Sequence, residues 1–180
     1  MSEIQNKNHI YAIAGPTASG KTALAVELAL LVGGEVVNFD SVQIYRGIEI
    51  ATAKPTMEER RGVPHHLIDY VDPNVNYTAA DWARDAGETI AEIESRGRVP
   101  ILVGGTGFYL RTLMRPLFDS PSTDESIRDR LRAIKEKRGP EFLHRLLIKI
   151  DPTAATNLFP RDYVRVMRAC LLYTSDAADE

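Results

Sequence analysis

The residues best suited to chemistry form one short stretch near the amino terminus, Gly15-Pro16-Thr17-Ala18-Ser19-Gly20-Lys21-Thr22. This stretch, here called the phosphate loop, fits the pattern G-x-x-x-x-G-K-[ST] at every specified position. Glycines let successive backbone N–H groups converge on an anion, and the start of a following helix adds partial positive charge. Lys21 would bring a full charge to bound phosphates, and Thr22 would offer its hydroxyl to Mg²⁺.

The flanking sequence supports a true phosphate site. An apolar run of strand length, residues 9–14, precedes the loop, and a strong helix-forming run, residues 23–31, follows it and ends at Gly33-Gly34. The order strand, glycine loop, helix separates a phosphate loop from a chance match. The alternative is a glycine turn with an unrelated lysine.

A carboxylate follows the second predicted strand. Residues 35–39 form an apolar run that ends at Asp40-Ser41. In open parallel sheets, ligands bind at the carboxyl ends of the strands, so we expect Asp40 near the phosphate loop. Asp40 could hold Mg²⁺ through water or act as a general base. It could instead cap the turn that follows it, and the residues alone leave these roles open.

Two further strands and three helices complete the first part of the chain. We expect a short helix at 56–61, a strand at 64–71, a helix from Thr78 to about 95, a strand at 98–103 and a helix at 108–114. Thr78 and Asp81 resemble a capping box with Asp in place of Glu. The His65-His66 pair lacks zinc-ligand spacing, which favours packing or loop hydrogen bonds.

A second glycine-rich turn, Gly104-Gly105-Thr106-Gly107, follows the strand at 98–103. Glycines there would let a ligand approach the backbone closely. Many such turns serve packing only, and the dinucleotide pattern G-x-G-x-x-G is absent from this stretch.

Composition describes an ordinary soluble protein. The 180 residues suit one domain with a small insertion, and the single cysteine, Cys170, cannot form an internal disulfide. The sequence contains no apolar run as long as a membrane span and no visible signal peptide, so we expect a cytoplasmic protein.

Charge is unevenly distributed along the chain. Residues 124–168 carry 11 Lys and Arg against 7 Asp and Glu, whereas residues 1–123 carry 11 against 15. Helices are predicted at 124–138, 141–149, 153–158 and 161–173. In the last of them Arg161, Arg165 and Arg168 share one face. That face is either a phosphate-contacting stripe or an ordinary solvated surface.

Five motifs in a fixed order carry a family resemblance. They are the phosphate loop, Asp40-Ser41-x-Gln43-x-Tyr45-Arg46-Gly47, Thr52-Ala53-Lys54-Pro55, Pro64-His65-His66-Leu67-x-Asp69, and Leu102-Val103-Gly104-Gly105-Thr106-Gly107-x-Tyr109. Together they resemble the tRNA dimethylallyltransferases over residues 9–169. Ala51 departs from the family pattern, which usually has Gly at that position.

The resemblance implies transfer of a dimethylallyl group from dimethylallyl diphosphate to N6 of an adenine next to the anticodon of tRNA, with Mg²⁺ as cofactor. It implies that the phosphate loop, with Lys21 and Thr22, holds the donor diphosphate. Asp40 matches the family's general base, and Thr17 matches a donor contact. The implied tRNA contacts are Asp40, Ser41, Val42, Gln43, Thr106, Arg128, Val164, Arg165, Val166, Met167 and Arg168.

The resemblance also implies the domain organisation. We expect an α/β, P-loop NTPase-like three-layer core with a mainly parallel sheet at 1–119. A partial helical insertion that binds tRNA would follow at 120–173, and an unrelated or disordered tail at 174–180. Residues 170–180 match nothing in the family pattern, which favours a truncated fragment. A diphosphate-binding arginine of the family would fall beyond residue 180.

Three alternatives remain open from the sequence. They are an adenylate isopentenyltransferase, a small-molecule kinase, and a non-catalytic fragment that binds phosphate and RNA. For the transferase we expect a monomer whose partners are dimethylallyl diphosphate and the anticodon stem-loop of tRNA, with no membrane partner.

Overall fold

The computed structural model describes residues 9–49, 52–115 and 125–176, with side chains as far as 173. The chain divides into two compact units, Met1–Leu117 and Phe118–Glu180. The predicted domain boundary between 119 and 120 lies outside the described residues, as does Ala51. None of the described helices has the length and apolar character needed to cross a bilayer.

The first unit is an α/β fold built on a four-stranded parallel sheet. Its elements are β1 (Tyr11–Ala14), α1 (Lys21–Val32), β2 (Gly34–Asn38), α2 (Met57–Arg60), β3 (His65–His66), α3 (Ala79–Ser95), β4 (Val99–Gly104) and α4 (Gly107–Met114). The strand order is β1-β4-β2-β3, and every pair is parallel. The predicted parallel α/β fold is therefore confirmed.

Helices cover both faces of the sheet, and each face is formed by alternate residues of the strands. On one face, Val36 and Ile101 pack with Val26 of α1. On the other face, Val37 and Leu102 pack with residues of α3. Successive strand residues point to opposite faces, so the continuous apolar runs of β2 and β4 are buried on both sides.

Trp82 joins α3 to the end of β2. Its side chain is fully buried. The indole N–H donates to the carbonyl oxygen of Asn38 at 2.9 Å, and the ring stacks on Tyr109 of α4 at 5.2 Å. A buried indole needs such an acceptor, and this one fixes the end of β2 two residues before Asp40.

The third strand is shorter than the predicted 64–71. Leu67 and Asp69 have φ angles of 56° and 57°, which are incompatible with an extended strand. Beyond His66, residues 69–71 pair instead with residues 43–46, including an isolated bridge between Tyr45 and Val71. The prediction of a full strand here was wrong because the chain turns twice within it.

The second unit is helical. It contains α5 (Glu125–Arg138), α6 (Pro140–Ile150), α7 (Pro152–Thr156) and α8 (Tyr163–Asp176) around an apolar core. Leu143 and Leu147, one helical turn apart on α6, are fully buried in that core. Helix α8 ends at Asp176 rather than near 173, so residues 174–176 are helical, and residues 177–180 lie outside the described part of the chain.

A buried carboxylate links β2, β3 and α3. Glu35 Oε2 accepts from His66 Nε2 at 2.7 Å and from an Arg96 guanidinium N–H at 2.9 Å. Burial alone would raise the pKa of Glu35, but the hydrogen bonds and charges of His66 and Arg96 hold that pKa below its ordinary value. His65 bonds to the carbonyl oxygen of Val63, a local hydrogen bond of the expected kind, whereas His66 pairs with the Glu35 carboxylate instead.

Gly34 is predicted to be intolerant of a side chain. A Cβ at Gly34 would lie 2.7 Å from the carbonyl oxygen of Val99 on the paired strand. Gly34→Ala should therefore lower the free energy of unfolding by about 1–3 kcal/mol in urea denaturation. The control is Gly87→Ala in α3, where a Cβ would meet nothing within 4 Å. This control should raise stability by about 0.5–1 kcal/mol, and equal effects at the two positions would contradict the packing argument.

Acid sensitivity is predicted to depend on Glu35. Because its folded-state pKa is lowered, its stabilising contribution is complete above the unfolded-state pKa of 4.5 and is lost as the pH falls through the lower folded-state value. In Glu35→Gln, the free energy of unfolding should therefore decline less than in the parent between about pH 6 and about pH 3. Exposed Glu88 supplies the control, since Glu88→Gln should leave the pH dependence unchanged.

Candidate functional site

The phosphate loop connects β1 to α1, as the sequence predicts. Ala18 and Gly20 have φ angles of 63° and 79°, so the backbone turns back on itself before the helix. Gly20 is the N-cap of α1. Because glycine has no side chain to occupy the first N–H groups of the helix, these donors face the loop and favour an anion.

Lys21 and Ser19 fold inward over the loop. Lys21 Nζ donates to the carbonyl oxygen of Pro16 at 2.5 Å, and Ser19 Oγ donates to the same oxygen at 2.8 Å. The lysine charge therefore lies across the loop. An anionic phosphate oxygen is a stronger acceptor than a neutral carbonyl and would compete for the same amine.

Asp40 uses its two carboxylate oxygens differently. Oδ1 accepts from the backbone N–H groups of Val42 at 2.9 Å and Gln43 at 3.4 Å. This contact is the turn cap that the sequence offered as an alternative. Oδ2 lies near the second glycine turn. A Cβ placed on Gly105 would be 3.7 Å from Asp40 Oδ2 and 3.3 Å from the carbonyl oxygen of Gly15. One side chain can therefore hold the turn and still present an oxygen to a ligand.

A single cavity of about 390 Å³ joins these groups. It is lined by Thr17, Ala18, Ser19, Gly20, Lys21, Thr22, Ala23, Asp40, Gln43, Thr52, Ala53, Glu59, Val103 and Gly104. Six of the predicted site residues other than glycine and alanine share this concave surface: Thr17, Ser19, Lys21, Thr22, Asp40 and Gln43. Cationic, carboxylate and hydroxyl groups together in a cleft are typical of a site for phosphate chemistry.

Ser41 and Thr106 lie beside this cavity and bond to each other. The N–H of Ser41 donates to Thr106 Oγ1 at 2.9 Å, and Thr106 Oγ1 donates to Ser41 Oγ at 3.1 Å. Thr106 directly precedes α4, and Val42 is exposed at the surface. The predicted contact segments after β2 and after β4 are therefore neighbours at one edge of the sheet.

The sequence did not identify Thr52, Ala53 and Glu59 as cavity residues. Gln43 Nε2 donates to the carbonyl oxygens of Thr52 at 2.9 Å and Ala53 at 3.0 Å, which draws this segment back to the site. Such a return depends on hydrogen bonds between residues ten apart in a loop. No periodic pattern in the sequence predicts it.

The donor set suits a hydrated magnesium ion. Thr22 supplies a hydroxyl, and Asp40 and Glu59 supply carboxylates in the same cavity. Mg²⁺ in phosphate sites is typically held by one or two carboxylates together with substrate oxygens. Across the described ranges no group of three or more His, Cys, Asp and Glu residues forms a cage for a metal. The residues therefore fit Mg²⁺ carried with a diphosphate.

The helical unit has a basic groove of its own, about 460 Å³ in volume. Its lining is Arg128, Arg132, Lys135, Glu136, Tyr163, Val164, Met167, Arg168 and Leu171. The Lys135 ammonium lies 3.8 Å from the centre of the Tyr163 ring. Arg128, Val164, Met167 and Arg168, which were predicted as RNA contacts, therefore face the same groove.

Two details of the predicted contact surface need correction. Val166 is fully buried in the core of the helical unit, so its side chain supports the helix and cannot reach a ligand. Arg161 precedes α8, which begins at Tyr163, and bonds to Glu141 at 3.0 Å. Of the three arginines predicted to share one helix face, only Arg165 and Arg168 therefore lie on α8. Arg165 is exposed and pairs with Asp162.

Comparisons with known proteins agree on one family. A family model described as IPP transferase matches residues 43–178, which extends beyond residue 169, where the resemblance of the motifs ended. The tRNA dimethylallyltransferase of Geobacter metallireducens is 54% identical over 165 residues, covering 92% of this chain and 53% of the relative. That of Geobacter sulfurreducens is 54% identical over 164 residues, covering 91% and 53%. The chain spans about half the length of these curated relatives.

Solved structures give the same result. The full-length tRNA isopentenylpyrophosphate transferase of Bacillus halodurans is 46% identical, with a TM-score of 0.62 over 94% of this chain and 56% of that one. A eukaryotic dimethylallyltransferase, solved as crystallographic snapshots of its action on tRNA, is 37% identical. Its TM-score is 0.78 over 93% of this chain and 42% of that one.

Thr106→Val is predicted to destabilise the edge of the site. The variant keeps the shape of the side chain but leaves the part-buried N–H of Ser41 without its acceptor. The free energy of unfolding should fall by about 1–3 kcal/mol, measured by denaturation. Thr106→Ser, which keeps the hydroxyl, is the matched control and should lose less. A loss in Thr106→Ser as large as that in Thr106→Val would contradict the hydrogen-bond argument.

Proposed function

This chain belongs to the IPP transferase family, and from that premise we propose that it carries the donor-binding and catalytic part of a tRNA dimethylallyltransferase. The proposed reaction moves a dimethylallyl group from dimethylallyl diphosphate to N6 of an adenine next to the anticodon. The observation that supports it most directly is the shared cavity of the phosphate loop and Asp40. A diphosphate leaving group and a proton acceptor are both required by this chemistry, and both would meet there.

The phosphate loop is proposed to bind the diphosphate of the donor. The backbone N–H groups at the start of α1 and the amine of Lys21 would surround its oxygens, with Thr17 on the same wall. When the allylic C–O bond breaks, its electron pair moves onto the diphosphate, and these donors stabilise the growing charge. Mg²⁺, held by Thr22 and Glu59, would neutralise further charge on the leaving group.

Asp40 is proposed to act as the general base. The N6 lone pair of adenine forms the new bond to the allylic carbon, and one N6 proton passes to Asp40 Oδ2. A neutral exocyclic amine is a poor nucleophile and gains from a carboxylate within hydrogen-bond reach. The N–H groups of Val42 and Gln43 hold Oδ1, so the carboxylate is oriented before the substrate arrives.

RNA is the proposed acceptor because the target adenine must leave its stack to enter a cavity, which favours an unpaired loop. Ser41, Val42, Gln43 and Thr106 border the cavity and are proposed to contact that loop. The basic groove of the helical unit is suited to phosphate oxygens of the backbone. We expect the enzyme to act as a monomer in the cytoplasm, where its tRNA substrate is found.

The proposal is tested by incubating the chain with labelled dimethylallyl diphosphate, Mg²⁺ and an anticodon stem-loop that bears the target adenine. Label should appear on N6 of that adenine. Parallel reactions contain AMP or a nucleoside triphosphate with a small acceptor. Prenylation of AMP would replace the proposal with an adenylate isopentenyltransferase, and phosphoryl transfer would replace it with a kinase. RNA binding without any transfer would assign a non-catalytic role to this chain.

Two substitutions are predicted to separate donor binding from proton transfer. Asp40→Asn keeps an oxygen to accept from Val42 and Gln43 but cannot take the proton, so transfer should slow by about 10²–10⁴-fold. Its affinity for the donor should stay close to that of the parent. Lys21→Met should weaken donor binding by about 10- to 100-fold, the loss expected for one charged hydrogen bond. Binding is measured by calorimetry and transfer by label, and unchanged transfer in Asp40→Asn would contradict the base assignment.

A further inference from the structure

One wall of the cavity is formed by backbone that other segments hold in position. Thr52 and Ala53 line the cavity, and Lys54, which follows them, does not. Lys54 Nζ donates to the carbonyl oxygen of Tyr45 at 2.6 Å and to Asp69 Oδ1 at 2.5 Å. The Lys54 side chain is only 10% exposed, so it serves as an internal tie rather than as a surface charge.

Lys54 connects the cavity wall at Thr52 and Ala53 to two segments of the chain that are paired with each other. Residues 43–46 and 69–71 pair through backbone hydrogen bonds, including Asp69 N–H to Gln43 at 3.0 Å and Arg46 N–H to Val71 at 2.8 Å. Lys54 bonds to one member of each segment. The hydrogen bond from Lys54 holds the pKa of Asp69 below its ordinary value, so this carboxylate is charged at neutral pH.

The backbone is strained at two residues next to this contact. Ala53 has a φ of 47° and Asp69 a φ of 57°, both in the left-handed region that non-glycine residues rarely occupy. Such residues persist only where surrounding contacts impose them, and they concentrate around ligand sites. Lys54 is adjacent to the first strained residue and bonded to the second. Gln43 adds a second restraint through the carbonyl oxygen of Ala53.

We propose that the Lys54–Asp69 pair is a positioning element that fixes Thr52 and Ala53 as the wall against which the dimethylallyl group of the donor lies. This proposal rests on the proposed function. The phosphate loop accounts for the diphosphate half of the donor. The hydrocarbon half then needs apolar surface in the same cavity, which Ala53 and Val103 provide. Lys54 makes no bond to the phosphate loop among the described contacts, so its effect should be confined to the hydrocarbon half.

The test compares two ligands by calorimetry in the presence of Mg²⁺, inorganic diphosphate and dimethylallyl diphosphate. Lys54→Met removes both bonds of the amine while keeping most of the side-chain volume. It should weaken binding of dimethylallyl diphosphate by about 10-fold, as for a misfitted apolar group, and change binding of inorganic diphosphate by less than about twofold. Arg84→Met, which removes exposed ion pairs to Asp81 and Asp85, is the control and should alter neither affinity.

Asp69→Asn provides a second and milder variant in case Lys54→Met does not fold. It leaves the bond from Lys54 to Tyr45 intact, and the loss should again be selective for dimethylallyl diphosphate, at about threefold. Unchanged affinities in the folded variants would overturn the proposal. An equal loss for both ligands would also overturn it, because the pair would then be only structural. Failure of the proposed function would instead appear in the parent protein, as no transfer and no gain in affinity from the dimethylallyl group.

Discussion

Parallel pairing of β1, β4 and β2 is the constraint on which the candidate site depends. In this register Ala14 lies beside Gly104, and Asn38 lies beside Val103, so three strands end at the same edge of the sheet. The phosphate loop, the second glycine turn and Asp40 each leave one of these ends. Groups that are far apart in sequence therefore converge without any element devoted to joining them, which is how open parallel sheets generally form ligand sites.

Close approach at this edge requires small residues between the strand ends. A Cβ at Gly104 would lie 2.6 Å from the backbone of Phe39, and one at Gly105 would contact both Gly15 and Asp40. The second glycine turn therefore allows the phosphate loop and the carboxylate to face a common cavity. The sequence left two interpretations of this turn open, packing and close approach of a ligand. Both reflect the same requirement, because close packing of the strand ends creates the site.

Local signals in the sequence were sufficient for most elements. Thr78 and Asp81 form the capping box that their spacing predicts, and Thr56 forms another with Glu59 at the start of α2. The strands that became β2 and β4 were also predicted from the sequence, as was the phosphate loop. These features depend on neighbours within a few residues, or on a two- or four-residue period.

Features that depend on contacts between residues far apart in the sequence could not be predicted from local patterns. Leu67 and Asp69 adopt left-handed backbone without being glycine, so the shortened β3 has no sequence signal. The cavity wall at Thr52 and Ala53 depends on side chains that return from Gln43 and, as proposed, Lys54. Val166 is buried beside exposed Arg165 on α8 because of the packing of the other helices. The late start of α8 removes Arg161 from its face.

Trp82 makes this architecture observable. It is the only tryptophan of the chain, and its indole is bonded to the carbonyl of Asn38, two positions before Asp40. Fluorescence excited at the indole therefore originates from one known location beneath the proposed catalytic strand end. Its emission maximum and quenching report on the packing of that spot alone, which gives this protein an intrinsic optical probe that needs no label.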